Sequence, residues 1–263
     1  MKLREQVDAL CLKRLGRKPN LENPTGYNDK IQWLKLYDQR KEHITACDKW
    51  AVRDTVPKKH LVPARLGVSP EWMPAVLKCS HDSGGTRIVN NEGELARAQQ
   101  ELVGRLLQPY GIPKGEWAYQ FVTPRLFTER LLEPNITDYK FHCVHGKIAW
   151  VQVIADRRNG AKETILAPDG RATWLHFDHN MRHAPDAKVF PGDLAWFELT
   201  QLAQKLAKPW RYVRVDLFWS DGRAWFGELT FWPLAGAYRT KDEPAFGELL
   251  DIDLTQKREP IVL

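Results

Sequence analysis

The segment RVDLFWSDGRAWFGELTFWP, beginning at Arg214, constrains the chain more than any other, because it reads as two alternating strands around a turn. Side chains alternate along a strand with period two, so one residue of register exchanges the faces of everything beyond it. Two registers are open. With a two-residue loop at Asp221-Gly222, Ser220 faces Arg223 and Asp216 faces Gly227, which puts Glu228 on the opposite face from Asp216. With a three-residue loop, Ser220-Asp221-Gly222, and Gly222 left-handed, Trp219 faces Arg223 and Arg214 faces Glu228. The second is expected here: it gathers Val215, Leu217, Trp219, Trp225, Gly227 and Leu229 on one face and Arg214, Asp216, Glu228 and Thr230 on the other.

Two readings of that charged face stand at this point. Asp216 and Glu228 on adjacent strands offer hard oxygen ligands, which suits Mg²⁺ held through a few carboxylates and completed by phosphate oxygens and water. Arg214 beside them would neutralise a transferring phosphoryl group. The plainer reading is a solvated hairpin with an Arg–Glu cross-strand pair.

The other limits come from composition. A length of 263 residues allows one large domain or two intimate lobes, and 43% apolar residues with eleven Trp exclude a disordered chain. A net charge of +6 favours an acidic partner, such as a nucleotide or anionic glycan, although ordinary solubilising Lys and Arg give the same excess. Cys11, Cys47, Cys79 and Cys143 are isolated, which argues against a disulfide framework or zinc ribbon and for a reducing cytoplasm. The apolar runs are too short for a membrane span. His176, His179 and His183 lack a second ligand group and are read as loop histidines.

Helical spacing predicts helices over 2–15, through DKIQWLKLYDQ, and over ACDKWAVRDTV after Thr45, the last setting Lys49 and Arg53 one turn apart. Strands follow at AVLKCS and RIVN around the loop HDSGGT, then a helix over 92–107, strands near RLFTERLL, YKFHCV and KIAWVQVIA, and a helix over 193–207. Helices among antiparallel strands indicate an α+β fold. In VLKCSHDSGGTRIV, Lys78 precedes Gly84-Gly85, so the loop can lay backbone N–H groups over phosphates while lysine adds a point charge, or can be a plain glycine hairpin. In RLFTERLLEPNITDYKF, acidic residues flank a strand whose backbone can pair with an adenine edge, or simply face water.

The order of these motifs resembles the ATP-grasp superfamily. More narrowly, NPTGYNDKIQWLKLYD, CDKWAVRD, LKCSHDSGG, DYKF and RVDLFWSDGRAWFGELTFWP together resemble the TupA-like ATP-grasp proteins of teichuronopeptide and capsule biosynthesis, over roughly residues 20–235. The resemblance implies an ATP-grasp fold whose two α+β lobes, with antiparallel sheets, sandwich ATP: a helical segment at 1–60, a small lobe with the glycine flap at 61–128 and a large lobe with the Mg²⁺ hairpin at 129–263. It implies that Lys49 and Lys78 contact ATP phosphates, that Ser83, Gly84 and Gly85 form the flap, and that Glu129 with the backbone at Leu131 and Leu132 bounds the adenine. Asp138 would hold the ribose, with Lys140 nearby. Asp216, Glu228 and Thr230 would hold Mg²⁺, Thr230 standing where many relatives have Asn. Arg214, Lys140 and Arg157 form the implied catalytic set.

The implied activity is a cytoplasmic ATP-dependent carboxylate–amine ligase that forms an amide through an acyl phosphate. Its partners would be a glycan or small-molecule carboxylate, an amine and glycan-assembly proteins, with no nucleic acid. Phosphorylation of a hydroxyl, or nucleotide or polyanion binding without catalysis, are the alternatives.

Overall fold

The computed structural model describes residues 2–185 and 187–257. Its contacts divide the chain into two units, one of residues 41–134 and one of residues 1–40 with 135–263, where the sequence set its boundaries at 60 and 128. Residues 1–40 join the second unit because two helices pack there. Helix α1 (Leu3–Leu15) buries Val7, Leu10 and Cys11 and ends at Gly16, whose φ of 75° suits a residue without Cβ. Helix α2 (Tyr27–Tyr37) buries Tyr27, Ile31 and Trp33 and also two polar side chains, Gln32 and Lys35. Gln32 Nε2 donates to the carbonyls of Ala235 (2.9 Å) and Gly236 (2.7 Å), and Lys35 Nζ donates to that of Ala235 (2.8 Å). Those bonds pin a turn in which Leu234 and Ala235 have φ of 44° and 58°, a strained state that persists only when its surroundings fix it.

In the unit of residues 41–134, helix α3 (Glu42–Cys47) stops short of the expected single helix. Asp48 Oδ1 accepts from the N–H groups of Trp50 (2.9 Å) and Ala51 (3.1 Å), breaking the α-helix and starting a 3₁₀ segment at Ala51–Thr55. Thr45 therefore lies inside α3, and Lys49 and Arg53 fall outside it. Strands β1 (Ala64–Leu66), β2 (Ala75–Cys79), β3 (Thr86–Val89) and β4 (Leu126–Arg130) form an antiparallel sheet in the order β1-β4-β2-β3. Ala75, Leu77 and Cys79 alternate onto one face and pack on Leu95, Ala98 and Leu102 of helix α4 (Glu92–Leu106). Asn91 caps that helix by accepting from Glu94 N–H at 2.9 Å. The opposite face carries Lys78 and Glu129.

The other unit holds a six-stranded sheet of β5 (Asp138–Val144), β6 (Lys147–Ala155), β7 (Lys162–Leu166), β8 (Arg182–His183), β9 (Tyr212–Ser220) and β10 (Arg223–Thr230), ordered β10-β9-β5-β6-β7-β8. Its pairings are antiparallel except for β7 with β8. Helix α5 (Asp193–Ala207) lies on the face of Phe141, Val213 and Val215, which are fully buried, with Trp196 against Phe141 at 5.8 Å. A last helix, α6 (Glu243–Leu249), packs on α2. The face of the sheet turned from α5 carries the polar residues of the hairpin. The fold is thus α+β with two sheets, as the sequence pattern indicated.

Candidate active site

The β9–β10 hairpin takes neither register considered from sequence without amendment. Asp221 and Gly222 have φ of 53° and 68°, so the loop has two residues, and Arg223 pairs with Ser220, Ala224 with Trp219, Trp225 with Phe218 and Phe226 with Leu217. The three-residue loop is corrected. The consequence drawn for the two-residue loop fails too, because a bulge at Gly227 adds one residue to β10 and resets the pairing: Glu228 faces Asp216, Leu229 faces Val215 and Thr230 faces Arg214. The four polar residues share a face after all, with Asp216 rather than Arg214 opposite Glu228. Trp225 falls on the Asp216 side and Phe226 on the α5 side, the reverse of their expected places. Gly227 is required at the bulge, since a Cβ there would lie 2.9 Å from the Asp216 carbonyl oxygen and 3.0 Å from the Phe218 ring.

Arg214 is the hub of the face. Its Nε and Nη2 donate to Asp216 Oδ1 (2.6 Å) and Oδ2 (2.7 Å), and Nη2 also reaches Glu228 Oε1 and Thr230 Oγ1, both at 3.1 Å. Thr230 Oγ1 donates to Glu228 Oε1 at 2.9 Å. Lys140, paired across β5–β9 with Asp216, puts its ammonium on Asp216 Oδ2. Burial raises the Asp216 pKa, but Arg214 and Lys140 outweigh it and hold the carboxyl below its ordinary value. Burial works against the charged guanidinium as well, and Asp216 and Glu228 overcome it, so Arg214 is held well above its usual range. His142, across from Arg214, goes the other way: burial first, then the charges of Arg214 and Lys140, keep its imidazole neutral far below its ordinary pKa. Its Nδ1 meets Tyr212 Oη at 2.9 Å, which in turn meets Tyr27 Oη of α2 at 3.1 Å.

The donor set of this face is two carboxylates and a hydroxyl. Among the described residues no three His, Cys, Asp or Glu side chains gather to hold a metal ion. Asp216, Glu228 and Thr230 fit a hard cation that keeps several ligand positions for water and phosphate, which describes Mg²⁺ rather than Zn²⁺. Asp138, at the start of β5, is engaged by Arg157, whose guanidinium reaches it from the 3₁₀ turn Arg157–Asn159. Those two are a pair with each other in this structure. His176 and His183 stack with centroids 4.7 Å apart, and His176 Nε2 meets the Met181 carbonyl at 3.1 Å.

The unit of residues 41–134 carries the remaining expected residues. The loop from Ser80 to Gly85 is folded around Asp82, which is 2% exposed: Oδ1 accepts from Gly85 N–H at 3.1 Å and Oδ2 from Arg105 Nε at 2.6 Å. A Cβ on Gly85 would lie 2.3 Å from that carboxylate, so this glycine serves packing. Gly84, at φ 92°, is the conformational glycine. Ser83 is exposed, and its carbonyl accepts from Arg105 Nη2 at 3.2 Å. Lys49 N–H bonds the Ser80 carbonyl at 3.0 Å, and its ammonium meets the Asp82 carbonyl. Lys78 does not point at open solvent but pairs with Glu129, which Arg53 also engages at 2.7 Å. Leu131 and Leu132, half-buried, follow β4 directly. Sequence reasoning overlooked Asp82 and Arg105; an Asp before Ser-Gly-Gly is a turn signal that would have found the first, and nothing in α4 marks the second.

The TupA-like ATPgrasp family model matches residues 29–250. No curated protein matches the chain. Among solved structures, D-alanine–D-alanine ligase from Helicobacter pylori is 14% identical with a TM-score of 0.48, the alignment covering 89% of this chain and 70% of that one. The biotin carboxylase domain of 2-oxoglutarate carboxylase from Hydrogenobacter thermophilus, solved with MgADP, is 17% identical with a TM-score of 0.48, covering 97% of this chain and 57% of that one. The ATP-grasp ligase PsnB is 15% identical with a TM-score of 0.41, covering 92% and 65%. The chain therefore spans less than two thirds of the length of the last two.

Proposed function

The chain belongs to the TupA-like ATP-grasp family, and from that premise we propose that it is an ATP-dependent carboxylate–amine ligase acting on a sugar acid of a surface polysaccharide. The observation that carries the reading is the Gly227 bulge, which sets Asp216 and Glu228 side by side with Arg214 bonded to both. ATP would phosphorylate the carboxylate, giving ADP and an acyl phosphate, and an amine would attack its carbonyl carbon, giving the amide and releasing phosphate. The first step turns a poor electrophile into a good one.

Asp216 and Glu228, with Thr230 beside them, would hold Mg²⁺, which when bound supplies Lewis-acid charge to phosphoryl oxygens. Arg214 would neutralise the transferring group, and Lys140 would set the charge on Asp216. In the unit of residues 41–134, Lys49, Lys78 and the Ser83-Gly84-Gly85 loop would serve the phosphates, with Glu129, Leu131 and Leu132 toward the adenine. Asp138 and Arg157 would serve the ribose and its neighbouring groups. The basic charge of +6 suits an anionic glycan; the free cysteines Cys11, Cys47, Cys79 and Cys143 suit a reducing cytoplasm, and glycan-assembly proteins would be the partners.

The test is to incubate the protein with Mg-ATP, a panel of uronic and other sugar acids and a panel of amino acids. Mass spectrometry of an amide, formed with equal ADP and phosphate, is the expected result. A phosphorylated product with ADP alone makes the protein a kinase, and no ATP turnover across the panel removes the ligase reading.

A further inference from the structure

The pairing of Lys78 poses a problem for any anion-binding role. Its ammonium sits on Glu129 Oε2, and the lysine and glutamate side chains are only 16% and 8% exposed. A lysine that leaves such a partner for a ligand orphans a buried carboxylate, which is costly. The structure contains a remedy that is independent of the ligand. Arg53 Nη1 holds the other oxygen, Oε1, at 2.7 Å, and Arg53 is itself fixed by Nη2 donating to the Val62 carbonyl at 2.5 Å. Its guanidinium lies over Trp50 (5.8 Å), and Trp50 packs edge-on against Phe127, the β4 partner of Lys78, at 5.5 Å.

We infer that Arg53 is a positioning residue: it is the resident counter-ion of Glu129, so that Lys78 can move to a nucleotide phosphate while the buried carboxylate stays paired. This rests on the nucleotide reading of the site given above. Two cations against one acid leave a single positive charge on the face, and Arg53 divides the pull of Glu129 so that Lys78 is not locked in a one-to-one pair. Arg53 touches no ligand in this account; it acts through Glu129.

Calorimetric titration of the full chain with Mg-ATP and, separately, with adenosine tests it, alongside melting curves. Arg53→Gln should weaken Mg-ATP by roughly tenfold, the scale of one charged hydrogen bond, and leave adenosine affinity within about twofold. Arg53→Lys should bind as the wild type does. In a Lys78→Ala background Arg53→Gln should have no further effect, and in a Glu129→Gln background, where no carboxylate holds Lys78, it should also have none. Equal losses for Mg-ATP and adenosine would make Arg53 a structural brace and overturn the inference. A tenfold loss that persists in the Glu129→Gln background would put Arg53 on the ligand and overturn it as well. If Lys78→Ala weakens Mg-ATP and Arg53→Gln does not, this inference alone falls; if the wild type does not prefer Mg-ATP to adenosine, the nucleotide reading falls with it. Should Arg53→Gln fail to fold, the pair Glu129→Gln and Arg53→Gln/Glu129→Gln, which lacks the buried carboxylate, carries the same comparison.

Discussion

On the four-stranded sheet one carboxylate, Glu129, faces two cations, Arg53 and Lys78; on the six-stranded sheet two carboxylates, Asp216 and Glu228, face two cations, Arg214 and Lys140. The first cluster keeps a surplus positive charge and is suited to receive an anion. The second is balanced, with Lys140 and Arg214 both on Asp216 and Arg214 also on Glu228. The two faces also differ in how they are assembled. Lys78 and Glu129 come from neighbouring strands in plain antiparallel register, whereas Asp216 and Glu228 meet only because of a bulge. The difference teaches that the acidic face is the more fragile, since its chemistry depends on Gly227 being absorbed in a bulge.

Gly227→Val is therefore the largest perturbation that can be made without touching a charged residue. Its Cβ would lie 2.9 Å from the Asp216 carbonyl oxygen, which works against the bulge and favours the regular two-residue register, in which Glu228 and Thr230 turn away from Asp216. ATP turnover should fall on the order of 100-fold or more, the scale felt when a pre-placed charge stabiliser is lost, while Mg-free binding of adenosine by the other unit survives. A Gly227→Val variant with near-normal turnover would show that function does not depend on the bulge.

The two carboxylates should then separate by stability. Asp216 is buried under Arg214 and Lys140, so Asp216→Asn leaves a buried guanidinium and a half-buried ammonium undercompensated and should cost about 3 kcal/mol in denaturant unfolding. Glu228, whose side chain is 32% exposed, should cost under about 1 kcal/mol as Glu228→Gln. Both should lose ATP turnover. Glu228→Gln is thus the cleaner functional variant, and equal destabilisation by the two would mean that the burial of Asp216 does not set its energetics.

Much of this was legible in the sequence. The strands KIAWVQVIA and RLFTERLL and the helix at 193–207 follow from period-two and helical patterns that tertiary context reinforces. The short strands β1, β7 and β8 and helix α6 were not read, since two to five residues, in β7 with a buried Glu163, or a helix with Pro244 and Gly247, give no periodic signal. The face of the hairpin was identified correctly for a wrong reason. The pattern demanded that Asp216 and Glu228 converge, and a single register could satisfy that demand only by misplacing the turn. A glycine inside an alternating strand is the signal for a bulge, and Gly227 carried it. Partners across long sequence separations, such as Arg53 with Glu129 or Lys35 with Ala235, have no local signature at all.

Acid should reach the balanced face through its neighbour His142. The imidazole is fully buried and its folded pKa lies well below 6.5, so below about pH 6.5 the unfolded chain binds a proton that the folded chain refuses. Stability is then present above pH 6.5 and is lost as pH falls, by at most about 1.4 kcal/mol per unit from this residue. Urea unfolding between pH 7 and pH 5 measures the slope, and His142→Gln should flatten it. An unchanged slope would mean that carboxylates alone govern the acid limb.

The smallest effect belongs to Arg223, and it separates an arginine that serves the acidic face from one that merely lies along it. Arg223 pairs with Ser220, so it is on the same side of the sheet as Asp216, not the opposite side as the three-residue loop required. One pair of residues, Trp225 with Phe218, lies between it and the Glu228–Asp216 pair, and its guanidinium lies over the Trp225 ring at 4.7 Å. That indole is buried and anchored by its Nε1 donating to the Ser220 carbonyl at 3.0 Å, so it keeps its place without the arginine. Arg223→Ala should cost no more than about 1 kcal/mol, the range of an exposed cation–π contact, and should leave Mg-ATP turnover unchanged. A loss of turnover comparable to that of Glu228→Gln would extend the functional face to the turn and make the charge balance of the hairpin a matter of three cations, not two.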